Sequence, residues 1–210
     1  MKYSKTLRRW ELALLVGVAL AALLGARLDG AQAALADQVL RLHVLANSDS
    51  AEDQALKLQV RDRVLEEAAR YLEQAADRDE AEELLRAHLH ELAAAGAEAV
   101  GVAGYDYPVT ASLAEDCWFP TKTYTDFALP AGQYTALRVE IGAGAGQNWW
   151  CVVFPPLCLG SVSETVEETA AEAGLTEDQM SLITGEDEGY VVKFKAIELL
   201  EEFKGWLAGS

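Results

Sequence analysis

The sequence predicts an α+β fold: an N-terminal strand, two amphipathic helices, an antiparallel sheet in the middle and a C-terminal helix. Three observations predict it. Apolar and polar residues alternate over Val39–Leu45, apolar residues recur at helical spacing between Ser50 and Gly96, and from Tyr107 to Phe154 short alternating runs are separated by Gly and Pro turns. Helices and strands are segregated along the chain, which favours α+β over a doubly wound fold. At 210 residues, 51% of them hydrophobic, the chain is long enough for one domain with appendages, and too apolar to be wholly disordered.

The first element is a leader. Residues 1–36 hold Lys2, Lys5, Arg8, Arg9 and Arg27 against Glu11 and Asp29, while the rest carries twelve basic and thirty-two acidic groups. The formal charge of −17 is thus a +3 segment joined to a −20 domain. An acidic excess of this size excludes nucleic acid as a partner. The uncharged run Leu12–Ala26 spans roughly 22 Å as a helix, short of the roughly 30 Å hydrocarbon core. That length favours a secretory signal peptide over residues 1–33, with an uncleaved membrane anchor as the alternative. Ala31-Gln32-Ala33 offers the small-x-small pattern for cleavage after Ala33, and Ala34-Leu35-Ala36 is a second candidate. Either reading exports the acidic part. Export makes Cys117, Cys151 and Cys158 disulfide candidates. The preferred pair is Cys151–Cys158, closing a small loop around Pro155-Pro156, although the sequence leaves all three pairings open.

In the strand Val39–Leu45, residues Leu40, Leu42 and Val44 face one way and Arg41 and His43 the other, as in a half-buried strand. Asn47-Ser48-Asp49-Ser50 is a polar turn, and Ser50 with Asp53 marks a helix start. The first helix carries Leu56, Val60, Val64, Ala68 and Leu72 on one stripe. A second is expected from about Asp79 to Ala95, with Leu85, Leu89 and Leu92 inward and Gly96 as its C-cap. Strands then follow around Val109–Leu113, Tyr134–Ile141 and Gln147–Phe154. Residues 161–189 hold nine acidic groups and no Lys or Arg, which reads as a solvated mobile segment. Val191–Phe194 reads as a strand, and Leu199, Phe203 and Trp206 as the stripe of a closing helix that packs back on the domain.

Little in the sequence points to catalysis. The run Gly142–Gly146 lacks the Lys-Ser/Thr of a phosphate loop and leads into a strand, so it reads as a flexible hairpin turn. His88 and His90 fall on different helix faces and make poor joint metal ligands. His43 reads as a surface or turn-bonding histidine, and Ser48 and Ser50 around Asp49 as a capping turn. Cys117 with His43 is the one thiol–imidazole combination available, and spacing does not support it. No catalytic, cofactor-binding or metal-binding residues are assigned. Adjacent Trp149 and Trp150 on a strand face opposite ways, so that one packs in the core and the other is available to a partner surface, or both are buried between sheet and helices.

Three ordered segments, Leu40–Asp62, Phe119–Tyr124 and Leu129–Cys158 with its Gly-Gln-Asn-Trp-Trp-Cys stretch at Gly146–Cys151, together resemble stage II sporulation protein R. The resemblance spans roughly residues 39–160. It implies an intercellular signalling protein of endospore formation, made in the forespore and exported into the space between the septal membranes. There it would activate the membrane-embedded mother-cell peptidase that processes pro-sigma-E, with no catalytic residues of its own. The chain then divides into a leader (1–33), a signalling domain (37–160), the acidic segment (161–189) and the closing strand and helix (190–210). The candidate partner contacts on the resembling segments are Asn47, Ser48 and Asp49; Phe119, Pro120, Thr121, Lys122 and Tyr124; and Gln147, Asn148, Trp149 and Trp150. Membrane contact would be transient, through the N-terminal segment. An exported cell-wall or septal hydrolase is the rival reading, marked by convergent carboxylates or a Cys–His contact.

Overall fold

The computed structural model describes residues 10–17, 33–124, 127–157, 174–176 and 179. Most of the leader, Cys158, most of the acidic segment, the expected strand Val191–Phe194 and the closing helix lie outside the described residues. Residues 10–17 are helical, and no described helix is long and apolar enough to cross a membrane.

The elements run β1 (Leu40–Leu45), α1 (Ala51–Leu72), α2 (Arg78–Ala87), α3 (Leu89–Val102), β2 (Val109–Phe119), β3 (Lys122–Thr123), β4 (Ala128–Leu129), β5 (Gly132–Ile141) and β6 (Asn148–Phe154). This is an α+β architecture, but its sheet is mixed where an antiparallel one is expected. Among the described residues four strands lie in the order β2-β5-β1-β6, and β3 pairs with β4 in a small separate ladder. β1 runs parallel to β5 and antiparallel to β6. The reason is positional: β1 enters between two later strands, and a strand so placed cannot be antiparallel to both when those two run in opposite directions.

Central placement also changes the character of β1. Leu40, Leu42 and Val44 meet the helices, and Arg41 on the other face is fully buried too, so the strand is covered on both sides where the alternation predicts half-burial. Leu56, Val60, Val64, Ala68 and Leu72 of α1 form the expected buried stripe, and the Ser50 hydroxyl caps the helix by accepting the Asp53 N–H at 3.1 Å. The second helical region is two helices, not one. α2 starts at an Asp77 cap whose side chain accepts the Glu80 N–H, and His88 joins it to α3.

α3 runs through Gly96, which the sequence marks as a terminator, and stops at Val102. Gly96 is buried where a Cβ would come within 2.9 Å of Val109 Cγ1 and 3.3 Å of Val60 Cγ1. It is a close-approach glycine that lets α3 lie on α1 and β2. The helix ends instead at Gly104, with the Tyr105 N–H returning to the Val100 carbonyl at 3.1 Å. On the opposite face of the sheet, Leu35, Val39, Phe127, Leu129, Val152 and Leu175 form a second apolar cluster, and Phe119, Tyr134 and Ala136 a third.

Two glycines of one helix should respond oppositely to substitution. Gly96→Leu overpacks the contact with Val60 and Val109 and should lower stability by about 1–3 kcal/mol. Gly101→Ala, with nothing within 4 Å, should raise it by about 0.5–1 kcal/mol. Chemical denaturation of the two variants measures both.

Candidate functional site

The polar turn after β1 and the glycine run after β5 meet. Asn47 Oδ1 accepts the Ala143 N–H at 3.0 Å and Asp49 Oδ1 accepts the Gln147 N–H at 2.8 Å. The Ala145 and Gly146 N–H groups donate to the Asn47 and Ala46 carbonyls. The run is therefore not a hairpin turn: β5 and β6 do not pair, and the segment steps across the end of β1 that lies between them. At Gly142 (φ +59°) a Cβ would overlap Asn47 Oδ1, and at Gly146 one would overlap the Ser48 carbonyl. The glycines are seats for the polar turn and not a source of flexibility.

Asp53 closes the turn from below. One of its carboxylate oxygens accepts Asn47 Nδ2–H at 2.8 Å and the Ser48 hydroxyl at 2.5 Å. These bonds, Ser48's above all, hold the Asp53 carboxyl below the ordinary carboxylate range. Lys57, also buried, donates to Gln54 Oε1 at 2.6 Å and to the Gln147 carbonyl at 2.9 Å, and burial pulls its ammonium below the usual lysine value.

A second group of residues gathers around Arg41 on the face away from the helices. Its guanidinium lies 4.2 Å from the Phe119 ring centroid and 4.9 Å from that of Tyr134. Nε donates to the Cys151 carbonyl at 3.1 Å and Nη2 to the Tyr124 hydroxyl at 3.3 Å, which donates onward to the Trp150 carbonyl. Burial lowers the Arg41 pKa and pushes that of Tyr134 up to about 12. Beside this cage the sheet face becomes open. His43 Nε2 lies 2.7 Å from Asn148 Oδ1, and its ring stacks near Trp150 with centroids 6.3 Å apart. Arg138 pairs with Glu140 at 2.7 Å on the neighbouring strand.

The sequence-proposed contacts thus fall in three places. Asn47, Ser48, Asp49 and Gln147 come together in the loop clasp. Phe119, Tyr124 and Trp150 converge on Arg41, with Phe119 fully buried, while Pro120 is half-buried, the Thr121 hydroxyl accepts the Ala131 N–H at 3.1 Å and Lys122 is exposed. Trp149 sits on the opposite face, with the Arg61 guanidinium 4.4 Å from its ring centroid. The two tryptophans do face opposite ways; each is half-buried, Trp149 against the helix-side core and Trp150 against Phe119.

Arg41, Tyr134 and Lys57 are missed by the sequence reading. The available signal for Arg41 is its position between Leu40 and Leu42 in the strand. Cys151 is disulfide-bonded and Cys117 carries a free thiol. The expected partner Cys158 lies outside the described residues.

Cys117 and His43 do not carry the shifts of an activated thiol–imidazole pair. A thiolate–imidazolium pair lowers the thiol pKa and raises that of the imidazole. Here burial pushes the Cys117 thiol up and pulls the His43 imidazole down. His88, also half-buried, stacks on Tyr71 with centroids 3.8 Å apart. Among the described residues no group of three or more His, Cys, Asp or Glu is arranged to hold a metal ion. A polar hollow lined by Asp37, Glu82, Glu115 and Asp116 already contains a cation, the Arg78 guanidinium, which bonds Glu82 and Thr135 at 2.7 Å.

Comparison with known proteins then assigns the chain to the sporulation proteins. The family profile of stage II sporulation protein R matches residues 36–164, a span that holds both the loop clasp and the Arg41 cage. Stage II sporulation protein R of Bacillus subtilis (strain 168) is 33% identical over 183 residues, covering 79% of this chain and 81% of that protein. The chain belongs to the stage II sporulation protein R family. No solved structure matches it.

Gly146→Ala should drive the two loops apart and destabilise the fold by about 1–3 kcal/mol, read as a lower denaturation midpoint. Asp53→Asn tests the carboxylate. Because Asp53 titrates below the ordinary range when folded, its contribution is full above the unfolded-state value and is lost as pH falls through the folded one. The stability gap between wild type and Asp53→Asn should therefore be widest near neutral pH and close in acid, as followed by thermal midpoints across a pH series.

Proposed function

We propose that this chain is an exported signalling protein of endospore formation, made in the forespore and activating the membrane-embedded mother-cell peptidase that processes pro-sigma-E. Family membership carries the reading, and it supports a sporulation role directly. The charge division supports export: a basic, apolar leader precedes a strongly acidic domain. Activation requires that the domain bind the active arrangement of the peptidase more tightly than the inactive one, shifting its population. No catalytic group of the chain's own is needed for that. Asn148, Gln147 and Lys122 are exposed and Trp150 is half-exposed, so they offer side chains to a partner beside the open sheet face.

Leu35 bears on maturation. It is fully buried against Val39, Phe127, Leu129 and Val152, two residues beyond Ala33. Cleavage after Ala33 keeps this apolar plug, whereas cleavage after Ala36 removes it, and this supports the first site. In the exported product, the amino-terminal residue found by mass spectrometry should be Ala34.

The activator reading is tested by co-expressing the full chain, with and without residues 1–33, with the peptidase and pro-sigma-E in a non-sporulating host. Processing should require the chain and the peptidase together, and its absence with the full chain overturns the reading. A Gln147→Ala/Asn148→Ala double variant should fold with an unchanged denaturation midpoint and reduce processing about tenfold or more. Unchanged processing would remove those residues from the contact surface.

A further inference from the structure

The sheet ends differently at its two edges. On β6, Cys151 and Val152 already have partners beyond β1. On the opposite edge, β2 is eleven residues long and, among the described residues, pairs only with β5. The Gly142 N–H donates to the Pro108 carbonyl at 2.8 Å, which fixes the phase of that ladder. Antiparallel pairs alternate between bonded and non-bonded, so Thr110, Ser112 and Ala114 bond β5 while Val109, Ala111 and Leu113 direct their N–H and C=O groups outward. Among the described residues nothing bonds these outward groups.

Edges are commonly blunted by bulges, charges or proline. On β2 such devices stand at the two ends of the stretch Val109–Ala114, Pro108 before it and, after it, a bulge at Glu115 and Asp116 with Asp116 at φ +52°. The stretch itself is regular and uncharged, with Thr110 and Ser112 exposed. We infer that this stretch of β2 is a strand-docking site that takes an extended, neutral or basic segment of a protein partner as a fifth strand. The occupant follows from charge. An incoming segment meets exposed Glu115 and Asp116 at the end of the stretch, on a chain of net charge −17. Basic side chains complement that end, whereas a second copy of this chain brings the same negative charge. Trp118, 52% exposed on the same strand past the bulge, supplies an apolar anchor.

The inference rests on the protein-partner reading above, and its tests separate the two. In the full chain, hydrogen exchange should be fast at the Val109, Ala111 and Leu113 amides. It should slow about tenfold on adding millimolar acetyl-Lys-Thr-Val-Thr-Val-Thr-Lys-amide as a strand probe. Ala111→Pro removes one outward N–H without touching the β5 ladder and should abolish that protection, while Ala111→Val, which keeps the N–H, should retain it. In the co-expression assay Ala111→Pro should cut pro-sigma-E processing about tenfold at a denaturation midpoint matching Ala111→Val. Outward amides already slow in the free chain, or no added protection with the probe, overturn the docking site. So does protection that rises with protein concentration alone, which would make a second copy the occupant. Full processing by a folded Ala111→Pro also overturns it. If wild type itself fails to drive processing, the activator reading falls and the exchange experiment decides the edge by itself.

Discussion

The placement of β1 between β5 and β6 is the constraint on which the rest of this structure depends. A strand from the start of the domain is inserted between two from its end, parallel to one and antiparallel to the other. The chain leaving β5 must then pass over the end of β1, where the chain is also departing for α1. Two backbones cross in close contact, and the amides of the crossing find their acceptors within it. The Asn47 side chain and carbonyl, the Ala46 carbonyl and the Asp49 carboxylate supply four of them. Glycine at 142 and 146 supplies the space. Two features that look unrelated in the sequence, a polar turn and a glycine run nearly one hundred residues later, are the two halves of one joint.

A central β1 has a second consequence, at Arg41. With the start of the strand covered on both faces, Arg41 is buried, and it is a cation. Among the described residues no carboxylate pairs with it; the guanidinium is held by aromatic faces and by carbonyl and hydroxyl acceptors. Arginine suits such a site better than lysine, because its planar, weakly hydrated group stacks on rings while its edge donates hydrogen bonds. Burial lowers its pKa, yet a guanidinium starts so high that it keeps its charge. One step along the strand, His43 reaches the rim of the same layer and is only partly covered. The boundary between closed and open sheet face falls between these two residues.

Local physics made much of this legible in advance. The α1 stripe, the Ser50 cap and the opposed faces of Trp149 and Trp150 follow from period and position alone, and the structure has each of them. The failures share one cause, which is non-local contact. Gly96 carries the local signature of a helix stop, but what decides it is the proximity of Val60 and Val109. The Gly142–Gly146 run looks like a loose turn until Asn47 is laid against it. Arg41 alternates as a solvent-facing residue does, and only the sheet order shows that its face is covered. Strand order is set by pairing between distant segments, and the periodicity of one segment carries no information about it.

The division between joint and surface also determines how loss of function in this family is to be interpreted. A side chain consumed by intramolecular hydrogen bonds has little left to offer a partner, and removing it takes a bond from the fold itself. Asn47, Ser48 and the Asp49 carboxylate are of this kind, as are Tyr124 and the Thr121 hydroxyl, while Phe119 is consumed by packing instead. Substituting any of them loosens the β1 corner or the Arg41 cage, so a silent variant there reports on folding before it reports on contact. Lys122 and the Gln147 side chain make no bond among the described residues, and the Asn148 side chain bonds only His43 at the rim. Positions that lie side by side in the family's motifs therefore carry different meanings. The residues most telling about recognition are those whose removal takes no bond from the clasp or the Arg41 cage.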